Sequence, residues 1–446
     1  MQNAKLDIRQ LLEERPVGGL QIRVFLLCFL VALLDGFDTQ AIAYTGPAIA
    51  KAFGMSPSDM TYIFISGTLG MALGAMGLGM IGDRIGRRVA ILGSIVLFGA
   101  FSLAIAFAQS PAQIVALRFL TGLGMGGATP VLLAMAAEYS PSRIRGAVLT
   151  GVLLGLPAGA MVGGVLAAGW MPVIGWQGIY IVGGAIPLVV LLICLVFLPE
   201  SAQFLASRGR PGDLVEARRL VSRIAARPIP NDTSFVLPDA VEKGSVGALF
   251  AAEFRTSTIA IWMVYLFNWI AWFMFLLWLP TVLTNAGLDQ PTAALGTVIV
   301  NAAFIVFAIP LSILLPRIDI RRTLAVMFAI GIAVCAGLAM AGTNWTLVFV
   351  LVAAAGFGIG GQQIALNYLI SSTYPTELRA TGTGWAIGIG RTGAIVGSAV
   401  GGWLLQTGGV SGYFLGLAVP LIVAAAAVVL VRTRTGAAAA AAAGAR

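Results

Sequence analysis

GLGMGGATPVLLAMAAEYSPSRIRG, residues 122–146, decides the fold, because it occurs twice. GLGMGG (122–127) returns as GFGIGG (356–361), and YSPSRIRG (139–146) returns as TYPTELRA (373–380), both 234 residues later. Pro47 and Gly54 return as Pro280 and Gly287 at an offset of 233. The equivalent segments run in the same direction, so the chain is a parallel duplication. The duplicated unit is apolar. Of 446 residues, 59% are hydrophobic and 10% charged, where a soluble domain carries about 25% charged residues.

A bilayer is crossed by about 20 apolar residues in a helix. Twelve such runs fall near 22–46, 61–82, 89–108, 112–137, 147–169, 177–198, 257–284, 293–315, 323–341, 346–370, 381–405 and 412–431. With the N-terminus in the cytoplasm, the 27 Lys and Arg residues divide sharply. Arg118 and Arg391 lie deep inside spans and Lys51 falls outside; every other one falls in the termini, counting Arg23 at the very start of the first span, or in loops after even-numbered spans. That is the positive-inside pattern, and it assigns both termini to the cytoplasm. It also accounts for the net charge of +9 without a nucleic-acid partner. The expected fold class is an all-α membrane protein of twelve transmembrane helices in two six-helix bundles. Residues 1–198 form the N-terminal bundle, 199–256 a polar, basic cytoplasmic connection, and 257–446 the C-terminal bundle and tail.

Residues 213–226 read either as an amphipathic helix on the inner membrane face or as part of a tether between bundles. The tail GAAAAAAAGAR is low-complexity sequence. The polar first twenty or so residues do not read as a cleavable leader. Cys28, Cys194 and Cys335 all lie in apolar runs and suit neither a disulfide framework nor a metal site. There is no histidine, so any proton chemistry falls to carboxylates, tyrosine or water. No nucleophile–base set, metal cluster or cofactor loop suggests an enzyme.

Ionisable groups inside spans are costly, and they mark ion pathways or pair with one another. The inventory is Asp35 and Asp38 in span 1, Arg118 in span 4 and Arg391 in span 11. None has a charged counterpart at its repeat-equivalent position, so each belongs to a specific chemistry. With a rise of 1.5 Å per residue, Asp38 lies roughly 12 Å and Arg118 roughly 9 Å below the outer surface. Asp35 and Arg391 fall near the midplane. The pairs Asp38–Arg118 and Asp35–Arg391 are therefore matched in depth. Asp35 and Asp38 share a helix face, and two close carboxylates resist joint ionisation. They are the expected proton carriers; a static ion-pair network is the alternative. An arginine keeps its charge and grips carboxylates. Arg118 and Arg391 each stand either as a clamp for an anionic substrate or as partners of the two aspartates.

Span 7 carries WMVYLFNWIAWFMFLLW (262–278). Tyr265, Asn268, Trp269 and Trp272 share one arc of the helix with Trp262. That arc could stack a flat ring or face lipid. In span 10, Gln363 and Asn367 sit one turn apart, beside Gln362.

The loop GMIGDRIGRR (79–88), with Gly79, Asp83, Arg84, Gly86, Arg87 and Arg88, resembles the signature loop of the major facilitator superfamily. RFLTGLGMGG in span 4 and LPESAQFL (198–205) are similar to further strings of that superfamily. DGFDT (35–39) and YPTELRATGTGWAIGIGRTGAIVG (374–397) resemble the aromatic acid:proton symporters within it. The resemblance implies alternating access and proton-driven import of small aromatic carboxylates such as 4-hydroxybenzoate, protocatechuate or benzoate. It implies no cofactor beyond a proton gradient, a place in a bacterial inner membrane, and a monomer as a sufficient unit. Asp83, Arg84, Glu138, Arg145, Glu377 and Arg379 lie where the superfamily carries cytoplasmic latches. Gln203 departs from a position that is basic in many relatives. Other metabolite:proton symporters share the PES and GLGMGG strings. A drug:proton antiporter is the nearest rival, although GVLLGLPAGAMVGG (151–164) lacks an adjacent Gly-Pro. A transporter-like receptor is a third reading.

Overall fold

The computed structural model describes residues 5–230, 233–236 and 245–433. The Ala-rich tail and part of the central connection lie outside these residues. The described chain is almost wholly helical. A strand β1 (Lys5–Asp7) precedes α1 (Ile8–Glu14). The first long helices are α2 (Gly19–Phe53), α3 (Pro57–Ile85), α4 (Arg87–Ile105), α5 (Pro111–Glu138) and α6 (Ser142–Phe197). Two short helices, α7 (Ala202–Arg208) and α8 (Pro211–Ala225), and a strand β2 (Ser234–Val236) follow. The second half contains α9 (Arg255–Asn285), α10 (Gln290–Leu314) and α11 (Ile320–Met340). It then runs through α12 (Trp345–Ala355), a π-helical turn (Gly356–Gly360), α13 (Gln362–Thr373) and α14 (Thr376–Leu430).

Ten helices among the described residues are long and apolar enough to span a bilayer. Two of these contain a residue with non-helical backbone angles, Gly175 in α6 (φ 68°) and Gly409 in α14 (φ 60°). Each divides its helix into two membrane-length arms, which restores twelve spans. Gly175 and Gly409 lie 234 residues apart, so the duplication extends to these joins. A positive φ suits glycine because no Cβ meets the carbonyl. The chain thus reverses on one residue where the sequence suggested short loops. Gly54 and Gly287, the pair matched in sequence, also both take positive φ, 64° and 102°.

Helix starts are fixed locally. The side chains of Ser110, Asp289, Asp319 and Asn344 each accept a backbone N–H at the start of α5, α10, α11 and α12. These bonds satisfy donors that the first turn leaves open. The Thr292 backbone and hydroxyl donors hold the Asp289 carboxyl below its ordinary value.

The chain divides into two compact units. One unit holds the chain up to Thr39 with Leu69–Ala160 and Gln177–Ala240. Its core runs through Val24, Cys28, Ile91, Ile95, Phe98, Met125, Met135 and Cys194. A lobe of the same unit packs Ile8, Leu11 and Leu12 of α1 against Ala202, Leu205, Ala217, Leu220 and Val221 of α7 and α8. The strand pair β1–β2, parallel, closes this lobe. The apolar face of α8 is therefore covered by protein. The inner-face amphipathic helix exists as a helix, but this stripe is not available to lipid.

The other unit holds Gln40–Thr68, Met161–Trp176 and the chain from Val241. Its axis is α9 against α14. Gly393 and Gly397 lie on the backbone of Leu266 and Ile270, and Trp278 Nε1 donates to Ser398 O at 3.1 Å. The α2–α3 turn is sealed onto this unit. Phe64 meets Trp278 edge-on with centroids 4.7 Å apart, and Gly402 packs against Pro57 and Thr61.

Candidate functional site

Each residue of DGFDT has a separate structural task. Asp35 is 1% and Asp38 0% exposed. Asp38 accepts from the Ser102 hydroxyl of α4. Its other oxygen, Oδ2, lies 3.3 Å from Arg118 Nη1 on α5, and the same Nη1 donates to the Asp38 carbonyl at 3.2 Å. Asp35 accepts from the Thr129 hydroxyl at 3.0 Å and from Thr39 at 3.3 Å. Thr39 also reaches Met125 Sδ at 3.4 Å.

Between the two acids, Gly36 touches the backbone of Leu156 on α6, where a Cβ would overlap main-chain atoms. Gly159 makes the reciprocal approach to Leu33. Phe37 fills the space over Gly183. Two helices cross backbone to backbone because glycine occupies both sides of the contact, and the crossing fixes where the carboxylates point.

The depth-matched pair Asp38–Arg118 is thus formed. A buried ion pair is tolerable only when its remaining polar atoms are satisfied. Here one is left over: buried Arg118 Nε has no hydrogen-bond partner among the described residues. The guanidinium therefore holds Asp38 with only part of its donor set. Arg391 is half-buried on α14, in the other compact unit, next to Gly390, which packs on the Trp269 ring.

GLGMGG also gains a physical reading. Gly126 lies on Met71 O, Gly127 on Leu78, and Gly124 on Ser94 and Phe98, so α5 is clasped between α3 and α4. That clasp sets Arg118, Met125 and Thr129 against α2. The repeat copy behaves differently. GFGIG forms a π-helical turn, with Gly361 N donating to Gly356 O at 2.9 Å.

In the second unit, the predicted arc of α9 is occupied by specific partners. Tyr265 OH donates to Asn367 Oδ1 at 3.0 Å. Asn268 bonds both Gln362 and Gln363. Trp269 stacks on Phe273 with centroids 5.6 Å apart, and Trp272 packs over Gly360 and Phe304. Trp262 stacks on Trp385.

The signature loop joins three helices. Arg87 bonds Glu138 Oε1 through Nη2 at 3.0 Å and Nε at 3.1 Å, Asp83 at 3.2 Å, and the Gly82 carbonyl at 3.0 Å. Glu200 caps α4: Oε1 accepts from Arg87 N at 2.8 Å and Arg88 N at 3.1 Å, and also from Ser201 N at 2.9 Å. Burial pushes the Glu200 carboxyl up, against these backbone donors and the Arg87 charge, which pull it down. Gly86 has φ 121°, and a Cβ there would strike Glu200. Gly79 has ordinary room, 3.9 Å from Pro130. Arg88 reaches the Leu195 carbonyl, and Arg84 is exposed. Gln203 bonds the Glu138 carbonyl at 3.2 Å.

Arg145 and Arg379 form no salt bridge with a carboxylate among the described residues. Arg145 Nη2 donates to Ser140 O at 3.0 Å, and Arg379 Nε donates to Tyr374 O at 3.1 Å. Both reach back five residues to the end of the preceding helix, at the repeat offset. Glu377 is exposed. Sequence reading missed Ser102, Thr129 and Glu200 as site residues. For Glu200 the signal was present in LPESAQFL; the two hydroxyls carry none, because a hydroxyl within a span usually bonds its own helix. Replacing Glu200 with Ala is expected to lower stability by about 1–2 kcal/mol, the usual worth of a helix cap. Thermal unfolding in detergent checks this.

Membrane-length helices in two repeats, with a buried acid–guanidinium pair set by glycine-built crossings, define the class: a secondary transporter rather than an enzyme. The chain belongs to the Major Facilitator Superfamily, whose model matches residues 28–391 and, in a second match, 261–445. It is 35% identical to the gallate transporter of Pseudomonas putida over 95% of this chain and 94% of that protein. It is 33% identical to the 4-hydroxybenzoate transporter PcaK of the same species, over 90% of each. It is also 33% identical to the 3-(3-hydroxy-phenyl)propionate transporter of Escherichia coli (strain K12), over 89% of this chain and 91% of that one. Among solved structures, a D-xylose-proton symporter superposes with a TM-score of 0.71 at 17% identity, covering 92% of this chain and 97% of the other.

Proposed function

We propose that the protein imports small aromatic carboxylates, coupled to protons, by alternating access in a bacterial cytoplasmic membrane, with both termini inside. The observation that carries the reading is the agreement between its relatives and its buried groups. Named aromatic acid transporters match it over nine-tenths or more of its length, and DGFDT places two acids under four hydroxyl and guanidinium donors. Asp38 and Asp35 carry the proton. Arg118, already engaged by Asp38, senses that protonation. Arg391, beside the Trp269 packing face, serves the substrate carboxylate. The α9 aromatics receive the ring.

The test is uptake of labelled aromatic acids into proteoliposomes. An inward proton gradient should drive accumulation, and a protonophore should abolish it. Proton movement against the substrate would identify an antiporter. Binding without counterflow would identify a receptor.

A further inference from the structure

The second unit contains a chain of amides whose direction is fixed by one carbonyl. Gln362 Nε2 donates to Gly358 O in the π-helical turn. A carbonyl only accepts, so Gln362 must turn its Oε1 to Asn268, whose Nδ2 donates to it. Asn268 Oδ1 is then the acceptor for Gln363 Nε2. The series ends at Gln363 Oε1, the atom its Nε2 donation to Asn268 leaves over as an acceptor. On the same face one turn later, Asn367 Oδ1 is taken by the Tyr265 hydroxyl, which leaves Asn367 Nδ2 to donate.

Gln362 and Asn268 are fully buried, Gln363 is half-buried and Asn367 is exposed. An amide exposed within a membrane span faces a water-accessible cavity rather than lipid, because unpaired polar groups in hydrocarbon are costly. Gln363 and Asn367 thus present to that cavity one acceptor and one donor, at i and i+4 on α13.

We propose that Gln363, oriented by Gln362 and Asn268, and Asn367, oriented by the Tyr265 hydroxyl, recognise a hydroxyl group on the substrate ring. A phenolic hydroxyl donates to Gln363 Oε1 and accepts from Asn367 Nδ2. A carboxylate has no proton for Oε1, so the acid group is directed away from this end of the substrate. An unsubstituted ring leaves both amides unpaired, and a site built around a hydroxyl discriminates strongly against analogues that lack it. Gln362 is a positioning residue, acting through Asn268 and Gln363. This inference rests on the proposed import of aromatic acids and adds the class imported: hydroxylated ones.

The experiment measures uptake of 2-, 3- and 4-hydroxybenzoate, 4-methoxybenzoate and benzoate by the full-length protein in liposomes. One hydroxybenzoate should be favoured over benzoate by about 10- to 100-fold. Methoxybenzoate, which cannot donate, should fare no better than benzoate. In Gln363→Met, and less strongly in Gln362→Met, the hydroxybenzoate-to-benzoate ratio should fall at least several-fold, whatever the absolute rates. Where a variant does not transport, the shifts in melting temperature produced by the two ligands supply the same ratio. A wild-type protein indifferent to the hydroxyl, or variants with an unchanged ratio, would overturn the proposal while leaving aromatic acid import standing. A wild-type protein that takes up none of the panel would overturn both.

Discussion

Asp38→Asn is expected to abolish accumulation of substrate against a gradient while counterflow exchange remains detectable. Asparagine keeps the shape of the side chain and a carbonyl for the Ser102 hydroxyl, but it cannot bind and release a proton near neutral pH. It also leaves the Arg118 guanidinium without its counter-charge at a site where Asp38 is 0% and Arg118 3% exposed. Removing one member of a buried pair costs about 3–5 kcal/mol, offset in part here because Nη1 keeps the Asp38 carbonyl. The double variant Asp38→Asn, Arg118→Leu removes both charges. It should be more stable than Asp38→Asn alone and still fail to accumulate substrate. Parallel uptake, counterflow and thermal-unfolding measurements separate the two effects. Full concentrative uptake by Asp38→Asn would make the pair structural only.

Gly36→Val should be nearly as damaging, through geometry instead of charge. A Cβ at Gly36 overlaps the Leu156 main chain, and Gly159 closes the same crossing from the other side on Leu33. A side chain can change rotamer, but a backbone can yield only by moving the whole of α6. Overpacking usually costs about 1–3 kcal/mol, and occasionally more; with backbone on both sides of the contact the higher values are expected. The same displacement would shift Asp35 and Asp38 relative to Ser102, Arg118 and Thr129. We expect low yield of monodisperse protein and no uptake from the fraction that folds. A Gly77→Ala control should behave as wild type, since nothing lies within 4 Å of a Cβ there.

Much of this was legible from the chain alone. The span count survives because hydropathy is local: each run either is or is not long enough to cross hydrocarbon. Asp38 and Arg118 could be matched in depth because helical rise is constant, but that they meet came from the packing of α2 on α5. Other features had no sequence signal. Ser102 and Thr129 are unremarkable hydroxyls until α4 and α5 are packed on α2. Gly36 and Gly159 are two of 56 glycines, and only the crossing shows that these two have no room for a methyl group. The aromatic arc of α9 was visible as a periodicity, but its division into ring contacts and amide partners depends on α13 and the π-helical turn. That Arg145 and Arg379 each donate to a backbone carbonyl five residues back depends on the turn between two helices, which the chain alone does not show.

The amino-acid sequence determined on its own what each segment is: twelve apolar helices, two copies of one pattern, and four charges that no lipid-facing position would accept. Transfer into a bilayer depends on composition within a single helix, so no fold need be known. Tertiary structure decided which groups meet. Whether a carboxylate finds a hydroxyl or a guanidinium, and which way an amide points, depends on distances of a few ångströms between helices far apart in the chain, and these are set by where glycine lets two backbones touch.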